Sequence, residues 1–249
     1  MSLLTIGQSV ADEIGIAKPT SIANNAEYDK LLRYINKAGI RLMKKVPWEG
    51  LRAERLIASI NGETQTGILP SDFDRIIPET FWDRTNAYLI PGPVSPTEWN
   101  SLKAASTSGG RKMILRGGNM LIFPLFSGGQ VLAFEYITKN WALDSSGTPK
   151  ASFTADTDTS RIDEELLTLA AKYAYLDSEG LPAGNAFQEF SDYFDMALEN
   201  DQPDSGVMMS GDIFGGGRHF TGEPGANAGN ASGDNTGITW GQSQEIWGS

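Results

Sequence analysis

NNAEYDKLLRYINKAGIRLMKKV, residues 24–46, is the stretch that decides the fold. Tyr28, Leu31, Leu32, Ile35, Ala38, Gly39, Leu42, Met43 and Val46 recur at spacings of three and four, which lays one apolar stripe along a helix. Asn24 or Asn25 is placed to cap it, Glu27 and Asp29 occupy its first turns, and Lys37, Arg41, Lys44 and Lys45 crowd its end, so side-chain charge runs with the helix dipole. Burying each large side chain of the stripe stabilises by roughly 1.5–3 kcal/mol. The helix therefore needs partners, and comparable patterns recur near the far end of the chain, at residues 161–179 and 185–200. What lies between reads as an excursion from a helical body.

The chain has 249 residues, enough for a substantial core without covalent staples. It has no cysteine, which excludes a disulfide framework, a thiolate metal site and a thiol nucleophile. His219 is the single histidine, so a multi-histidine metal centre is excluded and a Ser-His-Asp triad would have to recruit it from a glycine-rich tail. Twenty Lys and Arg against 31 Asp and Glu give a net charge of −11. Gripping phosphates needs a basic face, and the one basic cluster is the end of the 24–46 helix. The acidic balance suits a surface that nucleic acid passes without sticking, and equally any soluble acidic protein. Residues 1–10 lack the cationic flank and apolar core of a signal peptide, and no apolar run reaches the ~18 residues of a membrane span. We expect a soluble protein made in a reducing compartment, without membrane contact.

Ser2 or Thr5 can cap a short helix through Ile6, Val10 and Ile14, stopped by Gly15, forming a small lid over the helical body. Pro47 ends the long helix, and the period changes. Residues 55–60, the Asn61-Gly62 pair and residues 63–69 read as a hairpin. Residues 69–75 read as a turn leading into a short helical or irregular segment, and Pro96 can open a helical turn. Residues 112–116, 120–126 and 131–138, separated by Gly117-Gly118-Asn119 and Ser127-Gly128-Gly129, read as an antiparallel meander with Phe123, Phe126, Phe134 and Tyr136 in a small core. Residues 144–159 are expected to be a polar loop. Ser160 and Asp163 cap the next helix, and the last one carries Phe187, Phe190, Tyr193, Phe194 and Leu198 on one side.

Beyond Asp201 glycine reaches roughly one residue in four, against ~7% in average usage, so this segment should not fold alone. Yet it keeps Ile213, Phe214, Phe220, Ile238, Trp240, Ile246 and Trp247 at intervals, which suggests anchors that order on a partner; incidental aromatics on a disordered tail are the alternative. Asp156, Asp158, Asp163 and Glu164 resemble a cation site but lack its tight glycine-centred loop, and read better as caps. Gly215-Gly216-Gly217-Arg218 lacks the lysine and hydroxyl of a phosphate loop. Trp48, Trp82, Trp99 and Trp141 fall at element junctions and are expected to be core wedges, with a carbohydrate-binding face as the alternative.

Several ordered phrases carry a resemblance: LPSDFDR at residues 69–75, WDRT at 82–85, GPVSPTEW at 92–99 and FEYITKNW at 134–141, followed by DTDT at 156–159 before an acidic helix start. Together they resemble the head-to-tail adaptor (connector) proteins of tailed bacteriophages, nearest to the tail tubular protein A type. The similarity covers about residues 28–200, and the tail beyond has no counterpart.

The resemblance implies a helical body carrying a β-rich domain, which agrees with the reading of the residues: an α+β fold, a helical bundle body with an inserted antiparallel β-rich domain, in which residues 1–50 and 151–200 form the body, 51–150 the insertion and 201–249 an extended, flexible Gly-rich tail. It implies copies in a ring, commonly twelve, joining the portal protein to a tail nozzle or tail tube and leaving a channel for DNA in transit. It implies no cofactor and no catalytic residue, and a place in the virion at the head-to-tail junction. A tail-associated protein that binds or degrades glycans is the alternative from another class.

Overall fold

The computed structural model describes residues 1–105 and 110–201. In chain order these contain α1 (Leu3–Ile14), α2 (Asp29–Lys45), β1 (Arg52–Ala58), β2 (Gly62–Gln65), β3 (Phe73–Ile76), β4 (Trp82–Asp83), β5 (Tyr88–Leu89) and α3 (Pro96–Ala105). They continue with β6 (Lys112–Arg116), β7 (Asn119–Phe126), β8 (Val131–Thr138), β9 (Ala142–Leu143), β10 (Pro149–Lys150), β11 (Thr159–Ser160), α4 (Glu164–Ser178) and α5 (Gly184–Asp201). Five helices with antiparallel sheets make this an α+β fold.

The expected stripe on α2 is buried: Leu31, Ile35, Ala38, Gly39, Leu42 and Met43 face inward. The helix begins later than residue 24. Asn25 instead shapes the preceding turn, its side chain accepting from the Glu27 amide at 3.1 Å, and Tyr28 takes the N-cap position without a side-chain cap. The hub of the body is α4, against which α1, α2 and α5 all pack. Its buried residues Leu166, Leu167, Thr168, Leu169, Ala170, Ala171 and Ala174 circle the helix, as expected for a rod enclosed by others. Asp163 caps it by accepting from the Leu166 amide at 2.8 Å, and Ser2 caps α1. On α5, Phe194 is buried and Phe190, Tyr193 and Leu198 pack on the same core, while Phe187 at the helix start is half exposed and meets the Tyr173 ring at 5.4 Å.

The β region corrects two further expectations. β1 and β2 do not pair with each other: β1 pairs with β8, and β2 with β7. Nor is there a meander, since β6 and β7 form a hairpin around Gly117-Gly118 while β8 leaves to pair with β1, β3 and β4. Both crossings between the two sheets meet at one corner, where each satisfies the other's backbone. The Ser59 amide donates to the Gln130 carbonyl at 2.8 Å, and the Gly129 amide donates to the Ser59 carbonyl at 2.7 Å. Gly128 and Gly129 have φ of 87° and 81°, which turns the chain out of β7 instead of folding it back. Gln65, fully buried, completes the corner by accepting from the Ile60 amide and donating to the Ile60 and Gly62 carbonyls. Residues 69–75 are also not helical, because Phe73–Ile76 adds to β8. The loop at 144–159 is shorter than expected, as β10 and β11 flank β9.

Two hydrophobic cores result. One collects the helices with Ile137, Trp141 and Phe153, and the other lies between the two larger sheets around Phe81, Ile90, Met120, Ile122, Phe126 and Phe134. β8 serves both, with Leu132, Phe134 and Tyr136 in the second core and Ile137 in the first. Trp141, just after β8, fills space above α2: a Cβ on Gly39 would stand 2.4 Å from the indole ring. Gly39→Ala should therefore destabilise the protein. The helix-propensity gain of about 1 kcal/mol is outweighed by overpacking of about 1–3 kcal/mol against a rigid ring, so thermal unfolding should shift down by several degrees. Trp141→Phe in the same chain should recover part of that loss, which a double-mutant cycle measures.

Candidate functional site

The carboxylates singled out as a possible cation site are used by the fold. Asp156 accepts from the Ser21 hydroxyl at 2.6 Å and from the Ile22 and Ala23 amides at 2.9 Å each, tying down the loop before α2. Buried Asp158 accepts from Lys150 Nζ at 2.6 Å and from the Thr154 and Ala155 amides. Asp163 caps α4, and Glu164 pairs with the N-terminal amine of Met1. Among the described residues no group of three or more His, Asp or Glu side chains is arranged to hold a metal.

Burial opposes ionisation of Asp156, but the Ser21 hydroxyl and the two amides outweigh it and hold its carboxyl below the usual range. At Asp158 burial is likewise overcome, by Lys150 and by the Thr154 and Ala155 amides. A carboxyl depressed in the folded state contributes stability that is present above its unfolded value, about 3.9, and lost as pH falls through the folded value. Thermal stability should thus hold from neutrality to about pH 5 and drop below about pH 4. Asp156→Asn should lose about 1–2 kcal/mol at pH 7 and show a shallower acid decline, read by thermal melts across the pH series.

Trp48, Trp99 and Trp141 are buried, as expected of wedges. Trp82 is not; it is 44% exposed on β4. In register across the sheet, Leu56 of β1 and Trp82 both face Ala133 of β8, so an apolar row crosses three strands on the outer face. The row borders an open hollow of about 590 Å³ lined by Glu54, Glu79, Asp83, Arg84 and Glu135. Three of those acids are engaged: Glu54 with Arg84, Glu135 with Arg52 at 3.7 Å, and Asp83 with the Thr85 and Asn86 amides at 3.0 Å, while Glu79 is exposed. Alternation along β4 is too short to reveal this exposure in the sequence.

The basic cluster foreseen at the end of α2 is exposed, with Lys37, Arg41 and Lys44 on its solvent face. Lys45 lies over the Phe194 ring at 3.9 Å. α5 carries Glu189, Asp192, Asp195, Glu199 and Asp201 and no base. The tail residues Ile213, Phe214, Phe220, Ile238, Trp240, Ile246 and Trp247, expected as partner anchors, lie outside the described residues. No helix among the described residues is long and apolar enough to cross a membrane.

A family model described as SU10 adaptor protein matches residues 1–211, which include both cores and every helix and strand named above. No curated protein matches the chain. A family of structural adaptors implies a non-enzymatic role and partners at the head–tail junction. The chain belongs to the SU10 adaptor protein family, the structural adaptors of the bacteriophage head–tail junction.

Proposed function

We propose that the protein is the subunit of an adaptor ring, twelve-membered in the virion, that joins the portal protein to the tail nozzle or tail tube and leaves a channel through which DNA passes. The family match over residues 1–211 carries this reading. The resemblance to the tail tubular protein A type supplies the ring and its position. Physics supplies the assembly route: a heterologous contact between identical wedges closes only at the right rotation per subunit, so a chain can stay monomeric until a template sets that angle. The free protein is monomeric and assembles on the portal. The anchors Ile213, Phe214, Phe220, Ile238, Trp240, Ile246 and Trp247 seat against the portal or a neighbour. With a net charge of −11, acidic side chains face the channel and repel DNA in transit.

The mass of the purified protein, alone and after mixing with the portal ring of the same phage, tests this. We expect a monomer alone and a stoichiometric ring in the mixture; a protein that stays monomeric and unbound with the portal overturns the reading. Deleting residues 202–249 should weaken portal binding, and undiminished binding removes the role given to the tail anchors.

A further inference from the structure

Helices α2 and α5 both pack on α4, run in the same direction and meet at their C-terminal ends. There Lys45 Nζ lies 3.9 Å from the centre of the Phe194 ring, and Trp48 meets that ring edge-on at 6.0 Å. One turn earlier the gap between them stays open. Ala38 on α2 and Ala170 and Ala174 on α4 are too small to close it, and a hollow of about 160 Å³ remains, walled by Leu42, Tyr173 and Phe190. Arg41 and Lys45 line its mouth, both exposed and neither with an ion-pair partner among the described residues.

An apolar cavity of about 150 Å³ holds one benzene ring, so this hollow has room for a single phenyl group. Two bases beside it favour a carboxylate close to that ring. The chain carries such chemistry twice beyond the described residues, at Asp212-Ile213-Phe214 and at Glu245-Ile246-Trp247. The first fits better. Its phenyl ring matches the volume, whereas the indole of Trp247 is larger, and the ten residues 202–211 tether it more closely to the body, which raises its effective concentration. Fully extended, ten residues reach at most about 33–36 Å, several times the width of a helix, so a neighbouring copy comes within range. α5 ends at the closed end of its own hollow and heads away from it, so the same chain's segment would have to double back.

We propose that the hollow between α2, α4 and α5 receives Asp212-Ile213-Phe214 of the adjacent copy, with the Phe214 ring in the hollow and the Asp212 carboxylate between Arg41 and Lys45. This rests on the ring reading above and assigns two of its anchors, Ile213 and Phe214, to a neighbour. Each copy gives a segment on one side and takes one on the other. That is a heterologous contact, which needs no two-fold axis and repeats around a closed ring. The buried phenyl ring supplies most of the affinity, and the exposed charge pair contributes little beyond fixing register.

Assembly of full-length variants on the portal ring, followed by native mass measurement, tests the contact. Phe214→Ala changes nothing in either core and is expected to need about tenfold more protein to assemble, the loss that goes with one buried ring. Arg41→Asp and Asp212→Arg should each weaken assembly, and the chain carrying both should recover part of that loss, which also shows that the single variants fold. Loss in both single variants without recovery overturns the pairing. Phe214→Ala assembling as the wild type does overturns the contact but leaves the ring standing, whereas a wild type that forms no ring with the portal overturns both. The cysteine-free chain allows a second readout: Arg41→Cys with Asp212→Cys, treated with a short bismaleimide on the assembled ring, should give a ladder of linked subunits that neither single substitution gives. Links confined to single chains, or no links, overturn the contact.

Discussion

The seat of Trp141 over Gly39 is the contact on which the rest of the structure depends. Trp141 is the first large residue after β8, the strand that contributes to both cores, so its placement fixes where the β excursion rejoins the helices. Phe153 meets the indole edge-on at 4.7 Å, and the Arg161 amide donates to the Trp141 carbonyl at 2.9 Å just before α4 begins. One ring thus aligns α2, β8 and the approach to α4. Only glycine at position 39 admits it, because any side chain there would enter the ring. The Trp141 Nε1 is buried without a hydrogen-bond partner, so the position uses the indole for its shape and accepts the cost of an unmatched donor.

A second joint lies at the C-terminal end of α2, where helix carbonyls lack intrahelical partners. Trp48 Nε1 donates to the Leu42 carbonyl at 2.8 Å, and Arg75 of β3 donates to the carbonyls of Met43 and Val46 at 3.2 and 2.9 Å. Arg75 places a full positive charge at the negative end of the helix dipole while bonding those groups. The same arginine sits beside β8, so the sheet and the helix are held by one side chain. With Trp141 at the other attachment, the β excursion is fixed to the helical body at two points and does not hang from a flexible linker.

What the sequence revealed and what it hid follow from the range of the interactions involved. Helices are written in local periodicity, so the buried faces of α1, α2 and α4 were legible, as were the Asp163 cap and the Gly117-Gly118 turn. Strand partners are chosen across tens of residues, and nothing local distinguishes a hairpin at Asn61-Gly62 from a crossing held by Ser59, Gln65 and Gln130. The start of α2 was misplaced because asparagine serves an N-cap and an isolated turn with the same side-chain oxygen. Trp82 was misread because residue type alone favours burial, while its exposure follows from facing outward beside Ala133. The basic cluster on α2 was visible, because Lys37, Arg41 and Lys44 follow from local periodicity alone.

These features bear on why an adaptor would be built this way. Its internal contacts are apolar, close-fitting and twice anchored, so each subunit is a stiff piece whose shape does not depend on its neighbours. Its outward charges are weakly committed, and rim pairs of that kind are worth about 0–1 kcal/mol each. A few such pairs cannot hold free copies together at ordinary concentration. In the proposed ring, a template that presents neighbours at the right angle would let weak contacts act at high effective concentration. A rigid subunit with weakly paired outer charges thus fits the proposed assembly on a template better than assembly in free solution.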